Sequence, residues 1–136
     1  MAYILDWMVN KRVIHLRIDS LLVDAEIDPL SQQLQTMIEE GTAPVHVLED
    51  NRLLRNVDDL SADAIKTSME SVDFSKVGQA VVLLPEPLGG VSDVLGTTAE
   101  FVDDLTCERV ETLPDALNHF AEHDSTLPEL RVSELT

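Results

Sequence analysis

Two histidines near the C-terminus are the first side chains whose spacing could support chemistry. His119 and His123 are four residues apart, so a helix would place both imidazoles on one face, close to Glu122. A zinc site needs a third and usually a fourth ligand, and no other residue at suitable spacing supplies them. We therefore interpret the pair as solvated side chains whose protonated forms complement the dipole at a helix C-terminus. No metal and no other cofactor is expected.

The other groups that could take part in catalysis stand alone in the sequence. Cys107 is the only cysteine, so no internal disulfide can form, and its place in a predicted strand is typical of a small buried side chain. His15 and His46 also fall in predicted strands, where hydrogen-bonded structural histidines are usual. No spacing brings a nucleophile, a base and an orienting acid together. We therefore expect a protein without enzymatic activity.

A glycine-containing turn offers a weak indication of a binding site. Gly89 and Gly90 follow Pro85-Glu86-Pro87 and match neither a Walker loop nor a dinucleotide-binding fingerprint. Ligands of open α/β sheets bind beyond the carboxyl ends of strands, and glycine allows a ligand to come close to the backbone. The alternative is a flexible turn between a strand and a helix, with Glu86 as its one ionisable group.

Arginines form a second candidate binding feature. Four of the nine basic residues fall on or beside the predicted hairpin and the predicted third strand, and these are Arg12, Arg17, Arg52 and Arg55. If the strands are neighbours, the arginines form a basic patch that could bind an anion or an acidic partner segment. The alternative is local pairing with nearby acids, namely Asp6, Asp19, Glu49 and Asp50. The candidate ligand or anion site therefore comprises Arg52, Arg55, Glu86, Gly89 and Gly90.

The elements that must position these side chains follow from the hydrophobic pattern. Ala80–Leu84 is an apolar run of five residues stopped by a proline, which predicts a central strand buried on both faces. Tyr3–Val9 and Val13–Ser20 flank Asn10-Lys11, which predicts an antiparallel hairpin. The first strand is expected at a sheet edge, and the alternation in the second predicts one solvated face.

Helical patterns separate the remaining strands. Asp28-Pro29 is expected to start the first helix and Gly41 to end it in a left-handed conformation. The predicted elements that follow are a strand from Val45 to about Leu54, a helix capped by Ser61 with Ile65, Met69 and Val72 inward, a helix from Val91 to Val102 weakened by Gly96, a strand from Leu105 to Val110, and a helix from Leu113 with Ala116, Leu117, Phe120 and Ala121 inward.

This order predicts an α/β protein with a single mixed β-sheet. About five strands are expected, with an opening antiparallel hairpin followed by strand–helix units, together with about four helices. The chain of 136 residues is long enough for one domain, which we place at residues 1–124, with a flexible C-terminal tail at 125–136.

The charge balance excludes several classes of partner. The net charge is −17, from 26 acidic and 9 basic residues, whereas binding to nucleic acid or to anionic lipid needs clustered Lys and Arg. No signal peptide is recognised, and no apolar run approaches the roughly 20 residues of a membrane-spanning helix. We therefore expect a cytoplasmic protein without membrane insertion.

The order of elements resembles a known family. The hairpin strands at residues 3–19 lead into a helix ending Glu39-Glu40-Gly41, and a strand at residues 44–50 follows. Together with the later βαβα order, this pattern resembles the SpoIIAA-like or STAS (anti-sigma-factor antagonist) group, including bacterial STAS/SEC14-like proteins, over about residues 3–124. The resemblance implies a mixed sheet with helices packed on it. It also implies a non-catalytic regulatory or protein-interaction module.

The same resemblance bears on regulation by phosphorylation. Signalling members carry a phosphorylatable Ser or Thr at the start of the helix after the third strand, within an Asp-Ser-Ser/Thr-Gly-like motif. The corresponding residues 56–61 here read Asn-Val-Asp-Asp-Leu-Ser, so the motif is missing. Ser61 is the nearest candidate for phosphorylation by position, and the alternative role for its side chain is that of an N-cap.

Two kinds of partner remain open. An unpaired edge strand is a docking surface unless it is protected, so we expect a homodimer formed through the edge strand, with Trp7 and Met8 as contacts, or through an exposed apolar helix. The alternative is a carrier or sensor of a small apolar ligand, in which the glycine-containing third helix would cover a cavity.

Overall fold

The computed structural model describes residues 3–19, 23–53, 61–84 and 94–128, and it confirms the predicted α/β fold with one mixed sheet. The five strands are β1 (Tyr3–Val9), β2 (Val13–Asp19), β3 (Val45–Leu53), β4 (Val77–Leu83) and β5 (Cys107–Val110). The four helices are α1 (Ile27–Glu40), α2 (Ala62–Met69), α3 (Val94–Ala99) and α4 (Leu113–His123).

The strands lie in the sheet in the order in which they occur in the chain. β1 pairs with β2 in antiparallel fashion, and β2 to β5 are parallel. When each new parallel strand is added at the same edge of the sheet by a right-handed crossover, all the connecting helices lie on one side of the sheet. Accordingly α1, α2 and α3 form one apolar cluster with the sheet, and α4 alone packs on the other side.

The apolar run in the second half of the chain forms an inner strand, as predicted. Ala80 to Leu83 are at most 1% exposed, and side chains from both helical layers cover them. The central position belongs to β3 instead, because only β5 lies beyond β4. The prediction that Ala80–Leu84 is the central strand is therefore wrong by one place.

The hairpin is confirmed, with β1 at the edge and Trp7 half-buried. The residue with a left-handed backbone is Lys11, with φ 66°, rather than Asn10. The solvated face predicted for β2 is only partly present, because Arg17 and Asp19 are half-buried whereas His15 is buried against the neighbouring β3. This face of β2 is therefore covered at His15 and partly open to solvent at Arg17.

Both predicted ends of α1 differ from the structure. The helix begins at Ile27, directly after a 3-10 turn, so Asp28 lies in the first turn and accepts a hydrogen bond from Ser68 Oγ (2.6 Å). Gly41 has φ −77° and is extended, not left-handed. Its lack of a side chain serves close packing, because a Cβ atom there would lie 2.5 Å from Val45 Cγ2.

The later elements differ from the predictions mainly at their ends. Ser61 caps α2 as predicted, and α3 is shorter than expected. Ala121 is exposed, because the buried side of α4 is set by Leu113, Ala116, Leu117 and Phe120. Beyond α4, Leu127 packs against the smaller apolar cluster, and residues 129–136 lie outside the described residues.

Candidate functional site: the open part of the sheet

The side of the sheet that carries α4 is only partly covered. The two large apolar side chains exposed within the described ranges are Ile4 (43%) and Leu53 (62%). Ile4 is the register partner of Arg17, and Leu53 borders a cleft together with Arg17. This cleft, which we call the Arg17 cleft, has a volume of about 280 Å³ and is lined by Arg17, Asp50, Arg52 and Leu53.

The strand register explains why these residues meet. β2 and β3 are parallel, and Arg17 lies beside Asp50 near their carboxyl ends. The register then slips, so that Asp19 pairs with Leu53. An extra residue in one strand redirects the side chains around it, and Asp50, Arg52 and Leu53 all reach the cleft. The cleft therefore occupies the position beyond parallel strand ends where α/β sheets bind ligands.

Asp50 is the fixed charge behind the cleft. Its carboxylate is 4% exposed and accepts hydrogen bonds from His15 Nε2 (2.9 Å) and from Arg52 Nε and Nη2 (2.9 and 2.7 Å). Burial alone would raise the pKa of Asp50, but the hydrogen bonds from His15 and Arg52 outweigh burial and hold that pKa well below its usual range. The hydrogen bond to Asp50 raises the pKa of Arg52 in turn. Asp50 thus remains ionised and holds both partners in place.

Arg17 is held much less firmly. Its Nη2 donates to Asp6 Oδ2 at 3.0 Å, in a pair whose side chains are 43% and 57% exposed. Its Nε atom is buried and has no hydrogen-bond partner within the part of the chain that the structure describes. Exposed ion pairs contribute little, whereas a buried donor without an acceptor is costly. Of the two arginines that line the cleft, Arg17 is therefore the one with an unsatisfied hydrogen-bond donor, its Nε–H.

The structure splits the predicted basic patch. Arg17 and Arg52 come together, each paired with an aspartate as the alternative expected. Arg12 lies at the opposite end of β2 and pairs with Asp124, so the prediction of one patch for all four arginines is wrong. The remaining members of the candidate ligand site, Arg55, Glu86, Gly89 and Gly90, lie outside the described residues.

A second polar cluster, at the amino ends of β2 and β3, escaped sequence reasoning. His46 Nδ1 accepts from the backbone of Gln79 (3.0 Å), so His46 Nε2 carries the proton and donates to Asp124 (2.8 Å). Asp124 also accepts from Arg12 and Thr126. The hydrogen bonds from Thr126 and His46 hold the pKa of Asp124 well below its usual range. These contacts are internal, and they tie the end of α4 to the sheet.

The histidines of α4 form a stacked pair. The rings of His119 and His123 lie 4.1 Å apart, and His119 Nε2 hydrogen-bonds Gln79 Oε1 (2.8 Å). Burial, and then the nearby charge of His123, lower the pKa of His119. Over the ranges that the structure covers, no three His, Cys, Asp or Glu side chains are arranged to hold a metal ion.

Ser61 has a structural role in the described contacts. Its Oγ accepts a hydrogen bond from Ala64 N (3.1 Å), which caps α2, and its own backbone N–H donates to Asp24 (2.8 Å). An N-cap side chain of this kind satisfies one of the free donors in the first helical turn. This geometry gives the hydroxyl a function that requires no phosphorylation.

The edge strand β1 borders a second surface feature. Trp7 and Met8 are both half-buried and pack into opposite apolar clusters, on the two sides of the sheet. Between β1 and α1 runs a groove of about 440 Å³ without an ionisable lining side chain. We call it the β1–α1 groove, and it is lined by Leu5, Pro29, Gln32, Gln33, Thr36 and Met37.

Comparison with protein-family models, with curated proteins and with solved structures finds no match to this chain. The STAS-like resemblance therefore stays a prediction. Among the helices of the described ranges, none is both long enough and apolar enough to cross a membrane.

Proposed function

We propose that this chain is a non-catalytic interaction module of the STAS-like kind that forms a homodimer through β1. The observation that carries the proposal is a seven-residue edge strand lying beside a groove without ionisable side chains. Pairing of β1 with a second β1 would continue the sheet across the dimer, with main-chain hydrogen bonds supplying the affinity.

Edge strands are usually protected against such pairing by lysine, proline, other charged side chains, short length or a β-bulge. β1 has two of these features, a break in its register with β2 between Trp7 and Val9 and the charged residue Asp6. β1 contains neither lysine nor proline, and Asp6 is its only ionisable residue apart from Tyr3. Asp6 is moreover occupied by Arg17 on the α4 side of the sheet. The lack of lysine and proline and the pairing of Asp6 with Arg17 favour β1 as the pairing strand.

The charge of the chain favours a second copy at this particular place. Two molecules of net charge −17 repel one another, and the repulsion is smallest where the facing surfaces are uncharged. Antiparallel pairing of two β1 strands about a two-fold axis perpendicular to the sheet keeps both α1 helices on the same side. The uncharged residues Gln32, Gln33 and Thr36 of the two copies would then face each other.

Sedimentation equilibrium at several NaCl concentrations tests the proposal. We expect a dimer that tightens with salt, because screening weakens the repulsion between two acidic copies. The double variant Gln32→Glu/Thr36→Glu, which adds charge to the β1–α1 groove, should be monomeric at concentrations where the native chain is dimeric.

A matched control separates a local effect from one of total charge. Asn118→Asp/Ala121→Glu makes the same change in charge at exposed positions of α4, on the other side of the sheet. This variant should dimerise like the native chain, apart from a small general weakening. A monomeric native chain, or equal dissociation of the two double variants, would refute dimerisation through this surface.

The alternative, a carrier of a small apolar ligand, stays a prediction, as does the cytoplasmic location. The carrier prediction requires a third helix that packs loosely over a cavity. In α3, Val94 and Leu95 are at most 1% exposed and belong to the main apolar cluster. The glycines at residues 89 and 90 that motivated it lie outside the described residues.

A further inference from the structure

We propose that the Arg17 cleft binds a small organic carboxylate, with the guanidinium of Arg17 holding the carboxylate and Leu53 contacting the apolar body of the ligand. This site lies on the α4 side of the sheet, whereas the β1–α1 groove lies on the other side. The two proposals concern separate surfaces, and Asp6, which pairs with Arg17 in the free protein, is the residue of β1 that bears on both.

Arg17 supplies the primary contact because its hydrogen bonding is incomplete. Among the described residues, its Nε–H lacks an acceptor, and its Nη2 is held by the exposed carboxylate of Asp6 alone. A guanidinium binds a carboxylate side-on through two parallel N–H···O bonds, from Nε and one Nη nitrogen. A ligand carboxylate that displaces Asp6 would bind Nη2 directly, and it would also satisfy the buried Nε–H once the Arg17 side chain turns toward the cleft.

Asp50 and Arg52 make the cleft a prepared site. Asp50 is buried and bound to His15 and Arg52, so its negative charge is balanced before any ligand arrives. Arg52 is thereby fixed at the rim with its guanidinium partly exposed. Once Arg17 leaves Asp6, the cleft carries an excess of one positive charge, which selects an anion.

The shape of the cleft limits the size of the ligand. A volume of about 280 Å³ is at the low end for ligand sites and excludes a dinucleotide. Leu53 is largely exposed beside the two arginines, so an inorganic anion would leave this apolar surface uncovered. A carboxylate with a short alkyl chain matches both parts of the cleft.

Titration with hexanoate, followed by the amide resonances of β2 and β3, tests the inference. We expect saturable shifts around Arg17 and Leu53 with hexanoate, at least tenfold weaker binding of acetate, and no saturable binding of hexan-1-ol. Equal affinity for hexanoate and hexan-1-ol, or the absence of saturable shifts with hexanoate, would overturn the inference.

Variants then locate the ligand contact. Arg17→Gln should weaken hexanoate binding at least tenfold, whereas Lys66→Gln, the same change in charge at an exposed position of α2, should leave it unchanged. If Arg17→Gln does not fold, Arg17→Lys serves as the test in its place. Arg17→Lys keeps the charge but loses the side-on pair of donors, so it should also weaken hexanoate binding by about tenfold. Native-like affinity in the Arg17 variants would contradict the assignment.

The dimer variant keeps the two proposals distinguishable. In Gln32→Glu/Thr36→Glu, hexanoate should bind as it does to the native chain, because the Arg17 cleft lies on the opposite side of the sheet. Loss of hexanoate binding in this variant would show that the cleft is not an independent site.

Discussion

Two buried carboxylates connect distant parts of the chain. Asp50 joins β2 to β3 near their carboxyl ends, and Asp124 joins the end of α4 to the opposite end of the sheet. Each is ionised and surrounded by donors. Removing one partner of a buried charged cluster leaves the other groups unsatisfied, which costs more than the pair itself contributes.

At the residue scale, Asp124→Ala tests this reasoning. The substitution should lower the free energy of unfolding by about 3 kcal/mol, because His46 Nε2–H and the Arg12 guanidinium lose their acceptor. Urea denaturation measures the change. The exposed Asp103→Ala serves as a control for loss of one negative charge, and it should change stability by less than about 0.5 kcal/mol. Equal effects of the two substitutions would show that the cluster is energetically unimportant.

The pH dependence of stability follows from the same carboxylates. Folding lowers the pKa of Asp50 and of Asp124, so each stabilises the fold above the unfolded pKa of about 3.9, and this stabilisation is lost as pH falls below it. Urea denaturation between about pH 5 and pH 2 should show a steep loss of stability. In Asp124→Ala the slope of the unfolding free energy against pH should correspond to about one proton fewer taken up on unfolding. An unchanged slope would mean that Asp124 titrates alike in both states.

At the element scale, close packing at the end of α1 fixes the path of the chain into β3. A Cβ atom on Gly41 would lie 2.5 Å from Val45 Cγ2 and 3.1 Å from the Trp7 ring. Gly41→Ala should therefore lower the melting temperature, at a cost of about 1–3 kcal/mol of overpacking. Thr42→Ala, at the exposed neighbouring position, should have little effect. Comparable melting temperatures for Gly41→Ala and the native chain would mean that the helix end relaxes freely.

The cap of α2 separates a structural role of Ser61 from a regulatory one. Ser61→Ala should cost about 1 kcal/mol of stability, and Ser61→Asp should retain most of it, because aspartate also accepts the hydrogen bond from Ala64 N. Neither variant should alter the dimer constant in sedimentation equilibrium. A change in that constant with Ser61→Asp alone would favour regulation by phosphorylation.

The elements were predictable from sequence because local periodicity specifies them. Alternation and apolar runs placed the strands, and the N-cap of α2 was visible as Ser61. The separation of Arg12 from Arg17 also follows from the sequence, because five residues of strand span about 16 Å.

Other features depend on contacts that no local pattern records. His46 and Asp124 are 78 residues apart in the chain, and they meet only because α4 ends beside the sheet. The covered position of His15 depends in the same way on Asp50 in the neighbouring strand. The sequence therefore indicates that His15 and His46 are structural histidines, but it does not identify Asp50 and Asp124 as their partners.

At the scale of the whole molecule, the uneven distribution of charge matters most. The chain carries a net charge of −17, yet the surface beside its open edge strand is uncharged. Acidity keeps such proteins apart in general, and two copies repel each other least where their β1–α1 grooves meet. The central claim is that β1 pairs with β1 of a second copy at that surface.

Amide hydrogen exchange of β1 tests that claim most directly, because pairing adds main-chain hydrogen bonds to the strand's outer amides. The account predicts that alternate amides of Tyr3–Val9 become protected as protein concentration rises, and that Gln32→Glu/Thr36→Glu abolishes this added protection. Exchange rates in β1 that are independent of protein concentration, in a sample that sedimentation shows to be dimeric, would contradict it.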